Sequence, residues 1–580
     1  MELKSPPTRT VAPAPHEGQA PAGRAPEPVS LAGFPESLDR EPRRTPADAP
    51  LVRRPRGLGA ALRVVPAGAV LVMLAAVPFR TFELDRFFVP KELVLHATAL
   101  LAGWLCLRAA RGWARTRVDL LLVGYLALSA LSALFAENWW LAGRALAVSA
   151  SGVVLFWCAR LLARTGWARP VLQALAVAVV VAAGTLLLQA YGVTSEYFSV
   201  NRAPGGTFGN RNFVAHLCAI GAPLVLHLAL QARTRGGAGL AAVGVVAVTA
   251  ALVLSRSRGA WLAVIAVAAV MLVAGWVGRR RWRDGMRGRR LRKLLLLIAG
   301  GTAAALLVPN ALEWRSDSPY LDSVKDVANY REGSGAGRLV QYRTSLRLAR
   351  QHPVLGVGPG NWAVAYPAVA GRRDPSLVRA DRATANPWPS SDWVALVSER
   401  GVVAAALLLL ALAGLGVNAL VRLRDARRPE EYLTALTLLA ALVATVVVGL
   451  FDAVLLLAAP TLLAWTAFGA LAEVSPSHAV APWAPGRRRL LAALLLAVGP
   501  AALARSGLQL AAMAVADDAT AVRTLARAAR LDPGSYRLRL RVAQLYARRG
   551  DCGRALPHAR AAHEMLPAAR EPRAVVRRCE

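Results

Sequence analysis

Six arginines between positions 202 and 343 differ in setting from the other cations of the chain. Arg202 and Arg211 flank Gly205-Gly206-Thr207-Phe208-Gly209-Asn210, Arg256 and Arg258 lie in Ser255-Arg256-Ser257-Arg258-Gly259, and Arg338 and Arg343 follow Gly337 in a long polar stretch. A guanidinium is planar, permanently charged and binds two phosphate oxygens at once. Glycines beside it let the backbone approach a ligand closely. Such a group suits a diphosphate, because fixed cations at a departing diphosphate stabilise the negative charge that develops as its bond breaks. No Asp-x-Asp pair and no histidine cluster points to a divalent metal, so neither a metal nor a cofactor is expected and arginine must supply the positive charge. Asp322 and Asp326 lie four apart and read as a solvated face. His352, ahead of Pro353 and the Gly356, Gly358 and Gly360 turn, reads as a helix-end residue and also as a candidate substrate contact.

The elements that must hold these residues are membrane helices. The chain has 580 residues, 55% of them hydrophobic, with a mean hydropathy of +0.40 and repeated apolar runs near the length of a bilayer crossing. A net charge of +35 would suit nucleic acid, but the arginines fall mainly in short gaps between apolar runs, where they set topology. No nucleic-acid partner is expected. Of five cysteines, Cys106, Cys158 and Cys218 lie in or beside apolar runs without metal-ligand spacing, whereas Cys552 and Cys579 follow the last run and are candidates for a disulfide.

Taken in order, residues 1–57 form a Pro- and Ala-rich tail expected to be disordered. About twelve or thirteen spans follow, nine within 58–309 and four within 393–513, separated by a long polar loop over 310–392. The short gaps after the second, fourth, sixth, eighth and tenth spans are basic, which predicts that they and the N-terminus face the cytoplasm. By parity the turns at 191–211 and 255–258 and the long loop face outward. No short apolar core with a small-residue cleavage site follows Met1, so the first span is expected to act as an uncleaved insertion signal. Residues 514–580 change to amphipathic helices, and Tyr536 to Pro567 carries Ala543, Tyr546, Gly550-Asp551, Ala555 and Ala562 in a tetratricopeptide-like pattern. The fold class is therefore all-α: a polytopic transmembrane bundle with a long outer loop and a short helical-repeat module, a possible docking place for a protein partner.

Four ordered motifs carry a family resemblance: Gly206-Thr207-Phe208-Gly209-Asn210-Arg211-Asn212-Phe213, Leu254-Ser255-Arg256-Ser257-Arg258-Gly259-Ala260-Trp261, Gly337-Arg338, and His352-Pro353-Val354-Leu355-Gly356-Val357-Gly358-Pro359-Gly360-Asn361. In this order and spacing, from Tyr191 to Leu471, the chain resembles the O-antigen ligase and polymerase superfamily. The resemblance implies a multi-pass glycosyltransferase of the bacterial inner membrane in lipopolysaccharide or polysaccharide biosynthesis. Such enzymes take a glycan from undecaprenyl diphosphate and join it, on the periplasmic side, to lipid A-core, a growing polysaccharide or a protein. It also implies that Arg202 or Arg211, and Arg338, bind the donor, with Arg256, Arg258, Arg343 and His352 as further substrate-binding candidates.

One departure bears on catalysis. The family has a functional histidine just before the span after the long loop, in a frame leading to Glu-x-Gly. Here Ser390-Ser391-Asp392-Trp393 leads to Glu399-Arg400-Gly401, and the histidine is replaced by Ser390. A serine is no base near neutral pH, whereas imidazole is. Either Asp392 substitutes, or His352 reaches in, or arginine stabilisation of the leaving group suffices, or catalysis is lost. The competing readings are a non-catalytic partner in surface polysaccharide assembly and a flippase or exporter of lipid-linked glycans. An exporter would place charges inside its spans near the midplane.

Overall fold

The computed structural model describes residues 56–113, 115–199, 202–278, 285–314, 316–325, 331, 333–378, 380–472 and 481–580. Residues 1–55 of the expected tail, and Asp326, lie outside them.

Ten described segments are long and apolar enough to cross a membrane. They comprise α1 (Arg56–Leu74), α2 (Asp85–Ala109), α3 (Arg117–Leu134), the joined pair α4 (Trp139–Leu162) and α5 (Ala168–Ala190), α6 (Arg211–Gln231), α7 (Arg235–Ser255), α8 (Arg258–Val277), and three later helices. Those three are α13 (Asp392–Asp425), α14 (Pro429–Gly449) and α16 (Pro485–Ala516). The pair α4/α5 turns at Gly166, whose φ of 85° is open to glycine and strained for other residues. Two more helices complete the alternation: α9 (Gly285–Leu307), which starts in a basic turn and is apolar from Leu294, and the short α15 (Ala458–Leu471). The protein is thus an all-α polytopic bundle.

Each helix reverses the direction of the last, so the connections sort into two ends. At one end the basic gaps meet backbone carbonyls left open by helix termini. Arg169 donates to the Gln231 carbonyl at 3.3 Å, Arg290 to that of Leu230 at 2.9 Å, and Arg488 to that of Arg108 at 3.1 Å. A two-residue antiparallel ribbon, Gly112–Trp113 with Ala481–Pro482, lies at this end. The other end gathers the turns at 202–210, 255–258 and 450–457 with the long segment 310–391. That segment, expected as a polar loop, contains α10 (Pro319–Lys325), α11 (Gly333–Gln351) and α12 (Trp362–Val369).

After α16 come α17 (Val522–Leu531), α18 (Tyr536–Arg548), α19 (Cys552–Met565) and α20 (Arg570–Cys579). They dock on the end that holds the long segment. Asp381 accepts the Arg570 and Glu571 backbone N–H groups, both at 2.9 Å, which caps α20, and accepts the Tyr536 hydroxyl at 2.8 Å. Asn138 donates to the Met565 carbonyl at 3.3 Å, and Cys552 is disulfide-bonded to Cys579, which ties α19 to α20.

The helix α13 is broken at Gly401, with φ 79° and ψ 169°. A break at membrane depth frees backbone groups that must find partners in protein. They do so in the glycine turn after α11. Val357 and Gly358 N–H donate to the Ser398 and Glu399 carbonyls at 3.0 and 2.9 Å, and Val402 N–H donates to the Pro353 carbonyl at 2.8 Å. The Glu399 carboxylate accepts the Gly360 N–H at 2.8 Å, while buried Arg400 donates to the Tyr125 hydroxyl at 2.6 Å and to the Ser149 hydroxyl at 2.8 Å. A Cβ on Gly401 would lie 2.0 Å from the Val354 carbonyl oxygen, whereas one on Gly416, farther along the same helix, meets nothing within 4 Å. Gly401→Ala therefore combines a clash with left-handed strain of about 1–3 kcal/mol. It should lower the unfolding temperature in detergent and the membrane level, and Gly416→Ala should leave both unchanged. Equal behaviour of the two variants would show that the break is not required.

Candidate functional site

The turn before α6 is built to expose Arg202 beside Arg211. Gln189 of α5 accepts the Gly205 and Gly206 N–H groups through its side-chain oxygen at 2.9 and 2.8 Å and donates to the Ser199 carbonyl at 2.5 Å. Gly206, at φ 49°, sits where a Cβ would meet the Thr185 hydroxyl at 2.4 Å, and the Thr207 hydroxyl donates to the Met73 carbonyl at 2.6 Å. Asn210 caps α6 by accepting the Asn212 N–H at 3.0 Å. Arg211 is then the first helical residue. Its backbone N–H donates to the Arg202 carbonyl at 3.2 Å and its guanidinium to that of Ala203 at 3.4 Å.

Arg256 arrives from the turn between α7 and α8, where it adopts φ 52°, a left-handed conformation costly for a residue with a Cβ. Its Nε donates to the Ser323 hydroxyl of α10 at 2.9 Å. Arg256 and Arg211 share one aromatic neighbour: their guanidinium carbons lie 4.5 and 5.0 Å from the Trp314 ring centroid. Arg202 and Arg256 are both within electrostatic reach of Arg211. Arg258 begins α8, half-buried, immediately after Ser257.

One turn into α6 lies His216, 3% exposed, with its Nε2 3.3 Å from the Ser257 hydroxyl. Among the described residues its Nδ1 makes no hydrogen bond, and it faces the Asp452 carboxylate at 3.6 Å. Asp452 lies in the turn after α14, its side chain 13% exposed. Burial pushes its carboxyl up to about 6, against the opposing pull of the Ala453 N–H and of two cations, Arg338 and Arg202. Arg338, half-buried near the start of α11, thus joins the group from a fourth segment.

Asp392 stands behind this turn. It is buried at 4% exposure, and its carboxylate accepts the Val454 and Leu455 N–H groups at 2.9 and 3.0 Å, while its own N–H donates to the Asp452 carbonyl at 3.2 Å. Ser390, at the position of the family histidine, is tied to the same turn through Tyr342, whose hydroxyl lies 2.6 Å from the Ser390 carbonyl and 2.7 Å from that of Leu450.

Of the residues singled out in the sequence, Arg202 and Arg338 lie within electrostatic reach of Asp452, Arg202 and Arg256 lie within reach of Arg211, and Asp392 supports the Asp452 turn from beneath. Arg343 and His352 are exposed on and just after α11, and among the described residues the structure gives their side chains no contact with this group. Sequence reasoning missed His216, Asp452 and Trp314. Two signals were available: His216 is an ionisable residue inside an apolar span, and Asp452 is the one charged residue between positions 433 and 472.

No curated protein matches the chain. The arginine turn after α7, the long segment with Arg338, and the start of α13 with Asp392 all fall within residues 242–409, the stretch of the chain that matches the family model described as O-Antigen ligase.

Proposed function

We propose that the protein transfers a glycan from a polyprenyl diphosphate to an acceptor hydroxyl at the arginine end of the bundle. The observation that carries this reading is an arginine group drawn from three separate segments, in which Arg202 and Arg256 lie within electrostatic reach of Arg211, and Arg202 and Arg338 within reach of the Asp452 carboxylate. Like charges brought together repel, and an anion of matching charge between them offsets that repulsion. A diphosphate at headgroup level meets that requirement, and the O-antigen ligase family supports a membrane glycosyltransferase. The acceptor is lipid A-core, a growing polysaccharide or a protein.

In the reaction the acceptor oxygen bonds to the anomeric carbon as the bond from that carbon to the diphosphate oxygen breaks, and the electron pair leaves with the diphosphate. The arginines meet this charge as it grows, so they act on the transition state more than on the bound donor. Trp314 holds Arg211 and Arg256 in place. Asp392, the sequence's candidate base, serves in this reading by position, since its oxygens are taken by the N–H groups that shape the Asp452 turn.

Arg338→Ala should lower transfer at least tenfold at unchanged membrane level, because a charge-assisted contact contributes about 1.5–3 kcal/mol. Arg338→Lys should restore little, since an ammonium cannot bind two oxygens in parallel. Surface glycans of a deletion strain complemented with each variant provide the measurement. Full glycosylation by Arg338→Ala would leave the non-catalytic partner as the surviving reading, the one that the replacement of the family histidine by Ser390 also favours.

The proposed orientation places the arginine end and the C-terminal helices in the periplasm and the basic end in the cytoplasm of the inner membrane. The Cys552–Cys579 disulfide suits an oxidising compartment. In spheroplasts, an impermeant maleimide should label these two cysteines after reduction by an impermeant phosphine, while buried Cys106, Cys158 and Cys218 stay unlabelled. Labelling that requires lysis would reverse the orientation.

A further inference from the structure

The group in excess of what diphosphate binding requires is the acid-imidazole pair. An arginine cluster that only grips an anion has no use for a carboxylate at its centre, since the carboxylate competes with the ligand for the same cations. Asp452 is nevertheless there, held by Arg338 and Arg202 and left partly open. Behind it sits a buried imidazole whose Nδ1 has no hydrogen bond and points at Asp452. A buried polar atom left without a hydrogen bond is costly. It therefore marks a contact made in some other state of the site.

We infer that Asp452 accepts the proton of the acceptor hydroxyl and that His216, fixed by Ser257, is its positioning residue, a pair that takes over the role of the histidine replaced by Ser390. The inference rests on the transferase reading above. The acceptor O–H bond breaks with its proton passing to Asp452 Oδ2, the acceptor oxygen bonds to the anomeric carbon, and the diphosphate leaves with the electron pair. The proton on Asp452 afterwards passes to water.

The geometry supports each role. Ser257 has the reach to donate to His216 Nε2, at 3.3 Å, which places the ring hydrogen on Nδ1, facing Asp452 Oδ2 at 3.6 Å. A contraction of about half an ångström makes this a hydrogen bond to the charged carboxylate. Space for the ring depends on Gly259, where a Cβ would lie 3.3 Å from His216 Nε2. The Asp452 loop is fixed from the opposite side by Asp392. Ser390 lies one hydroxyl away, through Tyr342, so the new pair occupies the neighbourhood of the vacant histidine position.

The charged and titratable groups facing Asp452 are Arg202 from the turn before α6, His216 from α6 itself, Arg338 from α11 and Asp392 from α13. The arginines keep their charge across the accessible range. With its carboxyl pushed up to about 6, Asp452 is the base above that pH and is blocked below it.

The test uses the full-length protein in membranes, with the lipid-linked glycan that accumulates in the deletion strain as donor and that strain's unglycosylated acceptor. Wild-type turnover should fall as pH drops through about 6. Asp452→Asn should reduce turnover about a hundredfold or more and remove this acid limb. His216→Ala should lower kcat about tenfold with donor KM unchanged and move the limb to higher pH, because a donor to the charged form has been lost. His216→Asn, whose amide N–H overlays the Nδ1 position, should recover most of the rate. Thermal unfolding of each variant reports whether it is folded. Full activity with an unchanged pH limb in folded Asp452→Asn, or a His216→Ala protein indistinguishable from wild type, overturns the inference. If Arg338→Ala is inactive in the same assay, the transferase reading survives that result; if it too is active, that reading falls first.

Discussion

The short helical segment from Asp392 to Arg400 is the part on which the rest of the site depends, because it is pinned at both ends by hydrogen bonds to the backbone of other segments. At its start, Asp392 organises the turn that presents Asp452. At its finish, the break at Gly401 leaves carbonyls and N–H groups that the 353–358 turn satisfies, helped at the Glu399 carbonyl by the Ser132 hydroxyl. Glu399 fixes the same turn through Gly360, and Arg400 bonds to hydroxyls of α3 and α4. The segment thereby joins the long segment, the α14 turn and the first helices of the bundle. In a membrane such irregular backbone persists only where protein encloses it. The rigidity of the site follows from that requirement.

Around this segment the bundle solves an electrostatic problem. Arg202, Arg211 and Arg256 are held within reach of one another, with Arg338 joined to them through Asp452, and their mutual repulsion is offset by means that leave their charge available. Trp314 offers a ring to two of them, Ser323 and the Ala203 carbonyl accept from Arg256 and Arg211, and the Asp452 carboxylate lies within reach of Arg202 and Arg338. Had each arginine been paired with its own carboxylate, as Arg160 is with Asp119 elsewhere in the bundle, the cluster would be neutral and of little use to an anion. The contrast between these two arrangements separates a structural ion pair from the anion site proposed above.

The C-terminal helices belong to the same end of the molecule. They are anchored by Asp381 of the long segment, by Asn138 between α3 and α4, and by apolar contacts of α17 with Phe82 and Val89. The long segment is thereby clamped between the membrane helices and the terminal module. This accounts for how a polar stretch of that length keeps Arg338 in register with a turn more than a hundred residues farther along the chain.

The sequence by itself determined the helical bundle, the alternation of its ends and four of the arginines that meet. Apolar run length and the placement of arginine follow local rules that need no knowledge of neighbours. The O-antigen ligase resemblance was also legible there, since its motifs are contiguous. Only the tertiary structure decided which charged groups share a site. Arg338 and Arg343 are five residues apart on one helix, yet one joins the cluster and the other faces solvent, because a helix turns its neighbours to different sides. His216 and Asp452 are separated by more than two hundred residues and carry no motif, so nothing local could pair them. Asp392, read in the sequence as an available acid, proved to be occupied by backbone N–H groups of another turn. Hydrogen bonds of that kind are made by the fold, and no spacing along the chain encodes them.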